Sequence, residues 1–484
     1  MRSLAVSQNS VFRARSSWVG LIGLALAVPL GIAVAQGGTR ALVVAGFAVG
    51  LASVPIARGV LFRGVRHSFL TVEVPMVFLL LGTLVFRVRS AQDIAVDPLD
   101  PAAQLRVALM VMGLALGGIA LISPAQAASS VVRSMTLPMR IYAIYVVVVF
   151  VGAPLSVNAP LTIYRGIELT SMLVVIAGAR KSVGIDATRR IGDLLYWFGV
   201  ALIGTVWAGV ALFPQEAVKT YFLNREVRWN FQISGVFPEI SANGVGILAV
   251  VIAVWSFTRV ASGRSRPFVG YSISIVAVGT LIAAQYRTGY VALVAAVGVW
   301  LWIHRRWGWL TVAAAAGTMF VLFASSTILA VAPYVLRGTA EQAAGLSSRL
   351  YWWSAAIPVW ESSPLLGRGL LTGTRYEVLE PLGLTTTSSI HSTWIEALVG
   401  TGVVGVMLLL ACLGLVLVWS FREARRPGGQ TTSLMLLVVL TVRSFTGSTF
   451  ETFSFLAMVF LWIASSVEEW PRSRLAVPGR VTAA

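Results

Sequence analysis

Apolar runs of about 16 to 25 residues recur from one end of this chain to the other, and they constrain its folding more than any other feature. A helix crosses a hydrocarbon core with about 20 such residues, whereas a barrel strand shows alternation over about ten. The runs here do not alternate, so the chain reads as a bundle of spanning helices. The rest of the composition agrees: 57% of the 484 residues are hydrophobic and 12% charged, and mean hydropathy is +0.83, which no water-soluble domain of ordinary composition matches.

The runs predict spans at 18–35, 41–57, 68–87, 107–123, 141–156, 164–179, 194–213, 241–258, 268–284, 289–303, 309–332, 394–419, 431–446 and 451–469. The predicted fold is therefore an all-α polytopic membrane protein of about 14 transmembrane helices. Residues 1–332 hold the first eleven, 333–393 form a large extracytoplasmic loop, 394–470 hold the last three, and 471–484 are a cytoplasmic tail. The leading apolar run is long enough to stay as the first span without processing.

The net charge of +18 is mostly topological. With the N-terminus inside, every inner segment carries at least two basic residues: Arg13 and Arg15, Arg63 and Arg66, Arg133 and Arg140, Arg180 and Lys181, Arg264 and Arg266, Arg305 and Arg306, Arg425 and Arg426, then Arg472 and Arg474. This is the positive-inside bias, and it puts both termini in the cytoplasm. Arginines on the other side have no such explanation and are the functional candidates. The single cysteine, Cys412, lies in an apolar run and excludes both a disulfide framework and a cysteine metal site.

Three outer loops are long enough to carry structure: Ser90 to Arg106, Pro214 to Ile240 and Pro333 to Thr393. The first holds Asp93, Asp97 and Asp100, but no histidine accompanies them and prolines separate them, so a solvated loop is expected rather than a metal site. In the third, a serine pair precedes apolar residues at Leu350, Trp353, Ile357 and Trp360, a helical period. The expectation is an interfacial helix with its tryptophans in the headgroup belt.

Arg287 sits in a short outer turn, where a guanidinium calls for an anionic partner or snorkels to lipid phosphate. Arg349 opens the loop helix, where the helix dipole disfavours a cation unless an anion is present; a headgroup or Glu361 would also satisfy it. Arg443 and Arg165 lie near the ends of spans, as ligand contacts or snorkelling anchors. Of three histidines, His67 and His304 fall on the inner side, which leaves His391 as the outer general-base candidate near neutral pH. Arginines with one base on an outer membrane face suit a pyrophosphate substrate and a nucleophilic hydroxyl.

The segments from Ser347 to Gly369 and from His391 to Leu410 resemble the O-antigen ligase and O-antigen polymerase superfamily. The resemblance rests on Arg349, Trp353, Pro364, Gly367, Gly369, His391, Trp394, Glu396, Gly402 and Gly405, with weaker echoes at Tyr286 to Gly289 and around Asn243. Ser392 stands where the family usually has Asn, and Tyr286 where it usually has Ser. The resemblance implies a metal-independent, inverting glycosyltransferase without a cofactor, in the bacterial cytoplasmic membrane with its active site on the extracytoplasmic face. It would move a glycan from undecaprenyl pyrophosphate to the hydroxyl of a glycan, lipid or protein acceptor. His391, Arg349 and Arg287 would be catalytic; Arg443, Arg165, Glu396, Trp353 and Asn243 would bind substrate. Fourteen spans point toward the polymerase branch. The competing reading is a transporter or flippase for a lipid-linked glycan. It predicts ionisable groups in span centres, whereas those in the sequence crowd toward the outer edge.

Overall fold

The computed structural model describes residues 69–85, 100–122, 134–219, 231–236, 238–309, 311–312, 349–384 and 389–467. The predicted spans at 18–35 and 41–57, nearly all of 309–332, and the tail lie outside these residues, as do Asp93 and Asp97. The remaining predicted spans all appear as apolar helices, seven of them long enough to cross a membrane and four shorter.

In chain order the helices are α1 (Val74–Leu84), α2 (Pro101–Ile122), α3 (Leu137–Gly152), α4 (Ala159–Val183), α5 (Ile185–Leu212), α6 (Ala242–Ala261), α7 (Pro267–Ala284), α8 (Arg287–Ile303), α9 (Arg349–Glu361), α10 (Thr393–Ala424), α11 (Thr432–Ser444) and α12 (Phe455–Ser466). The core runs along α12, where every residue from Phe455 to Ser465 is buried, and along α6 beside it. Trp255 of α6 stacks on Trp462 of α12 at 4.7 Å between ring centroids. Outward faces stay apolar, as on α7 with Phe268, Tyr271 and Ile275 exposed, which suits a lipid surround. Among the described residues the helices are interrupted by a two-stranded antiparallel ribbon, β1 (Val218–Lys219) with β2 (Gln232–Ile233), and an isolated antiparallel bridge between Gly235 and Ile240, all between α5 and α6.

Among the described residues, side-chain caps open five of the helices, and four of these caps gather at one end of the bundle, the fifth being Thr136 of α3 at the other end. Asp100 accepts the Ala103 N–H at 2.8 Å, Asn158 that of Leu161 at 3.1 Å, Ser241 that of Gly244 at 3.2 Å and Ser454 that of Ala457 at 3.2 Å. They open α2, α4, α6 and α12, with proline in the first turn of α2 and α4. Helix α2 thus begins inside what the sequence reading took as a loop to Arg106, and Asp100 is a cap. At the far end the basic residues of α4 cap the C-termini of its parallel neighbours: Lys181 donates to the Leu121 carbonyl of α2 at 2.6 Å, and Arg180 to the Ser465 carbonyl of α12. Cations belong there, because the carbonyl ends carry the negative pole of each helix.

Helix α9 forms where the tryptophan pattern predicted it, but its aromatic face packs inward. Ala356 is buried, and Trp352, Trp353, Val359 and Trp360 cluster with Val378, Leu379, Ile390 and Val399. Leu350 and Tyr351 are exposed, and the tryptophans are half-buried.

Candidate active site

The glycines of the loop explain how it is fastened. Helix α10 is broken at Gly402, whose backbone lies at φ 65° and ψ −168°. The break frees peptide groups that the segment 364–369 then satisfies. Arg368 and Gly369 donate their N–H groups to the Val399 and Gly400 carbonyls at 2.7 and 3.0 Å, and Val403 donates to the Pro364 carbonyl at 2.9 Å. The two backbones lie so close that a Cβ at Gly402 would overlap the Leu365 carbonyl, and one at Gly367 (φ 70°) would lie 2.5 Å from Gly400. Only glycine has room and the required φ at both points. Beyond this joint the chain turns through Gly373–Leu379, and Thr372 meets Ser156 and Thr162 at 2.7 and 2.8 Å, tying the loop to the start of α4.

Under the loop lies a cavity of about 820 Å³. The capping residues Asp100, Asn158, Ser241 and Ser454 all line it, so four helix N-termini point their positive ends at one space. Arg106, Arg165, Arg375 and Arg443 line it as well, with Tyr164 and Tyr376. Leu161, Leu202, Ile247, Leu248, Phe453 and Leu456 make the other part of the wall apolar. One side of this space therefore carries four arginines with the carboxylates Asp100 and Glu239, and another side is apolar.

Arg106 and Arg165 are held by a carboxylate set behind the wall. Glu168, 1% exposed, receives Arg106 on one oxygen at 2.6 Å and Arg165 on the other at 2.7 Å. Glu168 stands nine residues into α4, a depth of about 14 Å at 1.5 Å per residue. The expectation that ionisable groups keep to the outer edges of spans is corrected here, and Arg165 is turned into the bundle rather than snorkelling outward.

His391 is not among the residues that line this space; it follows the lining residue Ser389 by two positions and immediately precedes the N-cap position of α10. Its backbone is left-handed, with φ 55°, which is uncommon for a non-glycine residue and concentrates at functional positions. Its ring sits 5.9 Å from that of Trp352. Burial together with the Arg349 and Arg443 guanidiniums nearby pushes its pKa down to about 4. The imidazole is therefore neutral at pH 7 and able to accept a proton. Arg443 lies over the Tyr286 ring at 5.9 Å, immediately before Arg287, and the Thr446 hydroxyl meets that of Thr288 at 3.1 Å. Arg349, Arg443, His391 and the α8 start that carries Arg287 thus come together, from four separate segments.

Three predicted contacts are placed differently. Glu396 is fully buried, away from the cavity lining, and accepts the Thr374 hydroxyl and the Ile390 N–H. Trp353 donates its indole N–H to the Ile390 carbonyl at 3.0 Å. Asn243 is half-buried in the first turn of α6, between the cavity-lining Ser241 and Gly244. Arg106 and Glu168 were not singled out as site candidates in the sequence. Arg106 had been assigned to a loop end, and an acid three residues after Arg165 was the available signal for Glu168.

Residues 272–410 match the protein family described as O-antigen ligase. This segment contains Arg287, Arg349, Arg375 and His391, while Arg106, Arg165 and Arg443 lie outside it. No curated protein matches the chain.

Proposed function

We propose that the protein is a metal-independent, inverting glycosyltransferase that moves a glycan from undecaprenyl pyrophosphate to an acceptor hydroxyl. The convergence of four arginines and four helix N-termini on one partly apolar cavity, with His391 two residues beyond the cavity-lining Ser389, supports this reading. The apolar wall suits the isoprenoid nearest the diphosphate. Guanidinium forks bind phosphate oxygens and neutralise a departing diphosphate, the role a metal ion fills elsewhere.

In the proposed step His391 takes the acceptor proton as the acceptor oxygen attacks the anomeric carbon. The bond from that carbon to the phosphate oxygen breaks, and its electron pair leaves with the carrier-linked diphosphate held by Arg349, Arg287 and Arg443. Arg165 and Arg106 line the same cavity, their charge shared with Glu168. A single displacement from the face opposite the leaving group inverts the anomeric centre. Donor binding also sharpens the base, since a diphosphate between Arg349 and Arg443 offsets the charge that depresses His391. The ends of α4, α6 and α10 that carry Arg180, Arg259 and Arg422 are opposite the cavity. The positive-inside bias then supports a cavity opening away from the cytoplasm, with both termini inside.

The test is reconstitution of purified protein with a lipid-linked oligosaccharide and an acceptor, in the presence of a chelator. Transfer by the wild type and its loss in R349A, R287A and H391A is the expected result. Lengthened glycans identify a polymerase and attachment to a different carrier a ligase. Movement of the donor across the bilayer without a new glycosidic bond would overturn the enzyme reading in favour of the transporter.

A further inference from the structure

The segment ending in His391 and the one carrying Arg375 are separate in the chain, yet one carboxyl group touches both. Glu396, in the first turn of α10, accepts the Thr374 hydroxyl with one oxygen and the Ile390 N–H, at 3.3 Å, with the other. All three residues are 0% exposed. Thr374 immediately precedes Arg375 in the cavity wall, and Ile390 immediately precedes His391. The Ile390 carbonyl is pinned in turn by Trp353 of α9. The peptide groups entering the left-handed His391 are therefore held from two sides, and such a backbone persists only where its surroundings over-determine it.

We infer that Glu396 is a positioning residue, a joint that sets the imidazole of His391 against the cationic wall that holds the donor diphosphate. This rests on the transferase reading and adds to it the part that aligns the base. Glu396 does not touch substrate; it acts through the backbone before His391 and the turn that presents Arg375. Its acceptor geometry defines what can replace it. A glutamine keeps an oxygen toward the Ile390 N–H and turns its amide N–H₂ toward Thr374, whose hydroxyl then accepts. An alanine removes both links and leaves the Ile390 N–H buried without its acceptor.

Donor titrations and pH profiles of E396A, E396Q and T374V, each in the full-length membrane-reconstituted protein, test the assignment. E396A is expected to lose transfer by about 100-fold, the effect of a misplacement near 1 Å, while E396Q stays within about threefold of wild type. E396A also releases His391 from between Arg349 and Arg443, so the acid limb of kcat/KM rises from near pH 4 toward the ordinary histidine range. A mere loss of folded protein lowers the rate without moving that limb. T374V gives a smaller loss, and the double variant is no worse than E396A because the two share one link. E396Q as inactive as E396A, or E396A with an unmoved acid limb, would overturn the proposal. A wild type inactive with every lipid-linked donor would instead sink the transferase reading on which it rests.

Discussion

Replacing Gly402 by alanine tests how the loop is fastened to α10. At φ 65° and ψ −168° the residue occupies backbone space open essentially to glycine, and forcing another residue there costs about 1–3 kcal/mol. The added methyl also meets the Leu365 carbonyl and pushes the 364–369 segment off its seat. The backbone hydrogen bonds of that seat, from Arg368, Gly369, Val403 and Val404, are each worth about 0.5–1.5 kcal/mol net. Losing even part of them brings the local cost to at least about 2 kcal/mol, which is roughly a 30-fold change in an opening equilibrium. Hydrogen–deuterium exchange on peptides covering 364–369 reads that opening directly. Gly414 supplies the control: it lies in the same helix with open space where a Cβ would go, so G414A is neutral or slightly stabilising. Equal exchange in G402A and G414A would refute the backbone joint.

Other expectations follow from the same geometry. A Cβ at Gly447 would overlap the Arg443 guanidinium, so G447A moves that side chain while leaving the fold intact; donor KM in steady-state transfer assays should rise about tenfold, the worth of one charge-assisted hydrogen bond. E168Q leaves Arg106 and Arg165 facing a neutral amide, which costs about 3–5 kcal/mol and should lower the unfolding midpoint in detergent. Because His391 titrates lower in the folded chain than in the unfolded one, the unfolded state binds more protons between about pH 6.5 and pH 4. This histidine's contribution to stability therefore falls as the medium is acidified through that window, and H391Q should flatten that part of a stability–pH profile. Removing the Arg443 charge raises the His391 pKa, so R443A should shift its ring resonances to titrate at higher pH.

The bundle was legible because hydropathy is a local property: each predicted span within the described residues appears as a helix. Arg349, Arg443 and His391 were legible as outer charges without a topological reason, and the structure gathers them. Arg106 was lost to a loop boundary drawn too late, although Asp100 followed by Pro101 is a readable cap and first turn. Glu396 illustrates what pattern reading cannot reach. Its place in a motif says nothing of whether it faces a ligand or its own backbone, and that is decided by Thr374 and Ile390, which only the folded chain brings to it.

The cavity is built from two sources. The recognisable segment, 272–410, brings Arg375, Tyr376 and Ser389 to the lining, whereas Arg106, Arg165, Arg443 and much of the apolar wall come from helices it does not cover. On the proposed reading the diphosphate site draws on both, since Arg349 and Arg287 lie inside the segment and Arg443 outside it. If the proposed transferase reading holds, substitutions in α2, α4 or α12 reshape the cavity without touching His391, so exchanging those helices is a route to altered donor choice.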